Sequence, residues 1–94
     1  MDTKQLRIIV SGVVQGVFYR ASTQDKAQLL GLVGWVRNRK DGTVEICVQG
    51  FQPQLDDLLH WCHRGPDQAH VTNVDVYSED VSSIFNSFDI LPSD

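Results

Sequence analysis

The sequence has 94 residues, 41% of them hydrophobic, and a net charge of −4 at neutral pH, which is chain enough for one core and too little for two. An acidic balance argues against a general nucleic-acid or membrane-surface role, because those partners recruit basic faces. No apolar run is long enough to span a bilayer and no signal-like apolar stretch follows Met1, so the expectation is a cytoplasmic protein with a single domain over residues 1–94.

Leu6, Ile8 and Val10 alternate with Arg7, Ile9 and Ser11, which predicts a strand with one face toward a core. Gly12 and Gly16 punctuate the segment that follows. Glycines there permit backbone angles that turn successive N–H groups inward, and a helix opening near Arg20 adds the partial positive charge of its N-terminus. From Arg20 to Leu30 the composition favours helix, with Gly31 to stop it and with Tyr19, Thr23, Ala27 and Leu30 along the inner stripe. Strand-like runs at 32–38 and 43–50 flank Asp41 and Gly42, a β-hairpin signal. In the second arm Val44, Ile46 and Val48 share the core face and leave Glu45, Cys47 and Gln49 on an open one.

A second helix, opened by Pro53 and ended at Gly65 and Pro66, carries Leu55, Leu58, Leu59 and Cys62 on one stripe. Cys62 thus faces the core and Cys47 away from it, so both are expected to be free thiols. His60 and His63 flank a core thiol, but no carboxylate or fourth ligand is indicated with them, and no metal is expected there. A strand around Val71–Tyr77, the polar loop Ser78–Ser83 and a strand from Ile84 to Ile90 complete the chain. The order βαββαβ plus a short C-terminal strand, with right-handed crossovers, predicts an α/β (α+β) fold. It is a ferredoxin-like sandwich: a mostly antiparallel sheet with two helices on one face.

Positive charge is local. Arg20, Arg37, Arg39 and Lys40 sit in or near two loops, while Asp56, Asp57, Asp75, Glu79, Asp80, Asp89 and Asp94 lie elsewhere. Neither a P-loop nor a dinucleotide fingerprint is present. Taken singly, the glycines fit a plain tight connection and Asn38 fits a turn-shaping asparagine. Arg20 and Asn38 together point further, to an anion site with an amide able to orient water but unable to act as a base. Backbone N–H groups, one arginine and one amide supply charge stabilisation for phosphoryl transfer and no general acid for the leaving group. An acyl phosphate suits that set, since its carboxylate departs with a pKa of about 4–5 and needs no proton.

The run from Gly12 to Arg20 resembles the first acylphosphatase signature, and the run from Gly34 through Asn38 to Gly50 resembles the second, in register and at the right separation. The resemblance extends over nearly the whole chain. It implies hydrolysis of acyl phosphates to carboxylate and inorganic phosphate without metal or cofactor. Arg20 would hold the phosphate, the amides of Gln15, Gly16, Val17, Phe18 and Tyr19 would cradle it, and Asn38 would position the attacking water. Tyr19 stands where the family more often has phenylalanine, which adds a hydroxyl in need of a partner. Leu91-Pro92-Ser93-Asp94 replaces the usual basic or aromatic ending. The implied partners are a small acyl phosphate and inorganic phosphate as product or inhibitor, with no nucleic acid and no membrane, in a monomer. The alternative is a non-catalytic anion- or RNA-binding module of the same topology, although an aromatic and basic signature is missing from 43–50.

Overall fold

Alternating apolar side chains give the strands one face that must be covered, and two helices with apolar stripes cover it. The computed structural model describes residues 2–94. The elements are β1 (Lys4–Val13), α1 (Tyr19–Leu29), β2 (Val33–Asn38), β3 (Val44–Gly50), α2 (Gln52–Cys62), β4 (His70–Glu79) and β5 (Phe88–Ile90). They form one sheet in the order β4-β1-β3-β2-β5, antiparallel except for the parallel pair β2 and β5. This is the ferredoxin-like arrangement that the sequence predicts.

Register places the residues in rows across the helix face. Val10, Val44 and Asn38 make one row, and Ile8, Ile46, Val36 and Ile90 the next. Against these rows pack Tyr19 and Ala27 of α1 and Leu55, Leu58 and Cys62 of α2, all buried. Because β1 and β2 both run antiparallel to β3, and β5 runs parallel to β2, the C-terminal ends of β1, β2 and β5 meet at one end of the sheet. Helix α1 begins at that same end.

Three expectations are corrected. Gly12 (φ 119) lies inside β1 at a register shift against β4, and a Cβ there would collide with the His70 carbonyl oxygen. It serves close strand approach and not the cradle. The last strand starts at Phe88 rather than Ile84, because the Gln49 side chain takes the backbone of the preceding segment: Nε2 donates to Ser83 O (2.6 Å) and Phe85 N–H donates to Oε1 (3.0 Å).

The third correction concerns the non-helix face, which is not open over β3. Glu45 and Cys47 are each 5% exposed and Gln49 is 0%. Arg7 and Arg37 reach over from the flanking strands to Glu45, at 3.4 and 2.8 Å. Burial first, then the carboxylates of Glu79 and Glu45, push the Cys47 thiol up to about 11.

Candidate active site

At the end of the sheet where three strand termini meet, the chain turns from β1 into α1 through Val14, Gln15, Gly16, Val17 and Phe18. Gly16 (φ 75) and Phe18 (φ 65) both adopt the left-handed conformation, and no side chain caps α1. The first helical bond runs from Ser22 N–H to Phe18 O at 3.0 Å. Among the described residues, none of the backbone N–H groups from Gln15 to Ala21 is bonded within the chain. An uncapped helix N-terminus preceded by left-handed residues is a set of donors turned toward whatever anion arrives.

A cavity of about 310 Å³ opens here, lined by Val14, Gly16, Phe18, Tyr19, Arg20, Ala21 and Ile90. Ion pairs among the described residues join Arg7 to Glu45 and Glu79, Arg37 to Glu45, and Arg39 to Asp41. Arg20 takes part in none of them, so its guanidinium is available to an oxyanion. Of the locally concentrated cations, Arg37 and Arg39 are thus already engaged within the fold.

Not every residue expected at the site lines this cavity. Gly16, Phe18, Tyr19 and Arg20 do; Gln15, Val17 and Asn38 do not. Val17 packs against the core. Gln15 spends both Nε2 protons on the hairpin that follows Asn38, donating to Arg39 O at 2.8 Å and Thr43 O at 2.9 Å. It ties the loop to the end of β2, and so brings the loop and Asn38 to the same edge. Asn38 closes β2 on the helix face, and its Oδ1 is buried with no hydrogen-bond partner among the described residues. A buried amide oxygen without a donor is a place for a water or a ligand proton.

The hydroxyl of Tyr19 finds its partner inside: it donates to Cys62 O at 2.8 Å, and the Tyr19 ring lies 5.3 Å from that of Trp61. Burial raises its pKa far above the phenol range, so it stays protonated. The tail runs beside β2, with Leu91 N–H donating to Val36 O (2.9 Å) and Asp94 N–H to Asn38 O (3.0 Å). Val14, Ala21 and Ile90 also line the cavity, beyond the residues expected from the sequence. Ala21 follows from helix geometry, since the first turn of any helix has unpaired N–H groups. Ile90 depends on the parallel pairing of β5 with β2, for which the sequence carries no local signal.

Fold and site together define a class: a small ferredoxin-like domain whose β1–α1 loop presents donors to an anion. The acylphosphatase family model matches residues 6–90. An acylphosphatase of Rubrobacter xylanophilus is 47% identical over 95% of this chain and 81% of its own, and one of Methylococcus capsulatus is 49% identical over 94% and 96%. The solved structure of an acylphosphatase from Coxiella burnetii superposes with a TM-score of 0.91 at 37% identity, covering 96% of this chain and 94% of its own. The chain belongs to the acylphosphatase family and is an enzyme with that activity.

Proposed function

We propose that the enzyme hydrolyses the carboxyl–phosphate bond of small acyl phosphates by the division of labour that the sequence suggests. Arg20 and the loop amides from Gln15 onward hold the phosphoryl oxygens, and Asn38 orients the attacking water. The observation that carries this reading is the coincidence, at one sheet end, of unspent backbone donors with an unpaired guanidinium. Such preorganised donors stabilise the charge spread over the equatorial oxygens of the transition state. Asn38 Oδ1, which has no protein donor among the described residues, accepts a hydrogen bond from the water and aims it; the attack needs no strong base because the leaving carboxylate needs no acid. The same reading takes residues 1–94 as one unit that works as a monomer in the cytoplasm, without metal or cofactor.

Benzoyl phosphate and p-nitrophenyl phosphate, assayed side by side with and without chelator, test the reaction class. Turnover of the first alone, unchanged by chelator, is expected. No turnover of benzoyl phosphate would favour a non-catalytic anion-binding module. Roles are separated by Asn38→Ala, expected to keep competitive inhibition by phosphate while losing most turnover, and Arg20→Ala, expected to lose both. Near-normal turnover in Asn38→Ala would sink the water-positioning role.

A further inference from the structure

We propose that Phe18, Val14 and Ile90 form the acyl subsite of this enzyme and select apolar acyl groups, aromatic ones above all, over small or charged ones. The inference rests on the phosphate-holding role proposed for Arg20 and the loop amides. Its starting point is Phe18, which combines two features unfavourable to folding. Its backbone is left-handed (φ 65, ψ 21), a conformation that bulky side chains rarely adopt. Its ring is 76% exposed, so the fold gains little burial in return. A strained residue that holds an apolar ring in water at the mouth of a cavity is better explained by a ligand than by stability.

The rest of the cavity agrees. Ile90 is 39% exposed on the helix face of β5, and with Val14 it lines the same space as Phe18 and Arg20. A phosphoryl group held by Arg20 and the loop amides must therefore direct its substituent along these apolar walls. The cavity volume of about 310 Å³ lies at the small end of ligand sites, with room for a phosphate and one compact group.

Polar readers of the acyl part are lacking. The Tyr19 hydroxyl is committed to Cys62 O, both Gln15 amide protons to the hairpin, and Gln24 Nε2 to Phe88 O at 2.9 Å. Arg20 is the charged member of the lining, and the phosphoryl group occupies it. A second carboxylate or an ammonium on the acyl group would lose water and find no partner. A flat apolar group loses poorly bound water and gains the Phe18 face.

Phenylphosphonate and methylphosphonate share a phosphoryl head and cannot be hydrolysed. As competitive inhibitors of acetyl phosphate hydrolysis they report the subsite alone. The phenyl compound is expected to have a Ki lower by about tenfold, the yield of partly burying one ring. Phe18→Asn keeps a residue that tolerates the left-handed backbone while removing the ring, and Ile90→Ser removes the opposite wall. Each should bring the ratio of the two Ki values toward one. Equal Ki values in the wild type, or a ratio kept in both variants, would overturn the subsite; the wild-type comparison and Ile90→Ser decide it even if Phe18→Asn fails to fold. Lack of inhibition by both phosphonates and by inorganic phosphate would instead reject the cradle, and the subsite with it.

Discussion

Two regions of this molecule carry arginines beside polar side chains, and they use them in opposite ways. On the non-helix face, Arg7 and Arg37 converge on the buried Glu45. Arg7 Nε also lies 3.4 Å from Glu79, a charge contact without a formed hydrogen bond, and Gln5 Nε2 donates to Glu79 at 3.0 Å. Both guanidinium groups also lie over aromatic rings, Arg7 over Tyr77 and Arg37 over Trp35, each at 5.1 Å. At the loop end of the helix face, among the described residues, Arg20 has no carboxylate partner, the amides around it are unspent, and Asn38 Oδ1 has no donor. Charge that is neutralised inside the fold stabilises or specifies structure; donors left over are what a substrate can use. The proposed location of function thus follows from unsatisfied groups and not from the number of arginines.

The sharpest way to break that division is to make the same conservative change in both regions. Arg20→Lys replaces a planar fork by a point charge at the anion site and is expected to lower kcat/KM by about a hundredfold or more. Arg7→Lys should leave kcat/KM within about twofold, because it touches no group at the sheet end proposed to bind the substrate. Comparable losses in the two variants would show that the network face takes part in catalysis.

Glu45→Ala tests the other side of the contrast. It leaves Arg7 and Arg37 facing each other without their shared carboxylate, and breaking a fully buried pair costs about 3–5 kcal/mol. Here the two arginine side chains are 38% and 33% exposed and can turn to water, so a loss of about 2 kcal/mol is expected. The urea midpoint should fall while turnover per folded molecule persists. An unchanged midpoint would mean that the network is decoration.

Gln15 joins the two categories, since it belongs to the cradle by position and to the saturated groups by bonding. Gln15→Leu removes two hydrogen bonds between loop and hairpin, each worth about 1 kcal/mol. The expected result is a fall in kcat of about tenfold with a smaller change in phosphate Ki, because alignment with Asn38 suffers more than the cradle itself. A Ki that rises as much as kcat falls would show that Gln15 contacts the phosphate directly.

What the sequence conveys of this contrast is uneven, for physical reasons. The period-2 strands, both helix stripes and the hairpin at Asp41 and Gly42 are local patterns, and each is found where expected. Gly16 and Arg20 stand out because a loop before a helix is also local. The burial of Cys47 is not, because arms from Arg7 and Arg37 cover the face beside it, and those strands are adjacent only in the folded sheet. The segment before Phe88 reads as strand by composition, but Gln49 takes its backbone bonds, an interaction across more than thirty residues that no propensity contains. The left-handed backbone of Phe18 is likewise hidden, since nothing in a phenylalanine announces it.

The smallest expected effect concerns the two thiols, one in each region. Burial pushes Cys47 up to about 11 and Cys62 up to about 12, with the Glu79 and Glu45 carboxylates adding to the shift at Cys47 and the Tyr19 hydroxyl opposing it at Cys62. Both folded values lie above that of an unfolded chain, so the native state keeps protons that the unfolded state has begun to release. Their contribution to stability is whole below about pH 8.5 and declines as pH rises through the folded values. Cys47→Ala should therefore flatten part of the stability loss between pH 8.5 and 11 relative to the wild type, while the two agree in slope near pH 7. Thiol labelling of the native protein at pH 8 sharpens the comparison of regions. Equal protection of Cys47 and Cys62 is expected if the Arg7–Glu45–Arg37 network closes its face as tightly as the helices close theirs. Faster labelling of Cys47 would show that the ionic cover opens more readily than the apolar core, and that neutralised charge holds a surface shut less firmly than packing does.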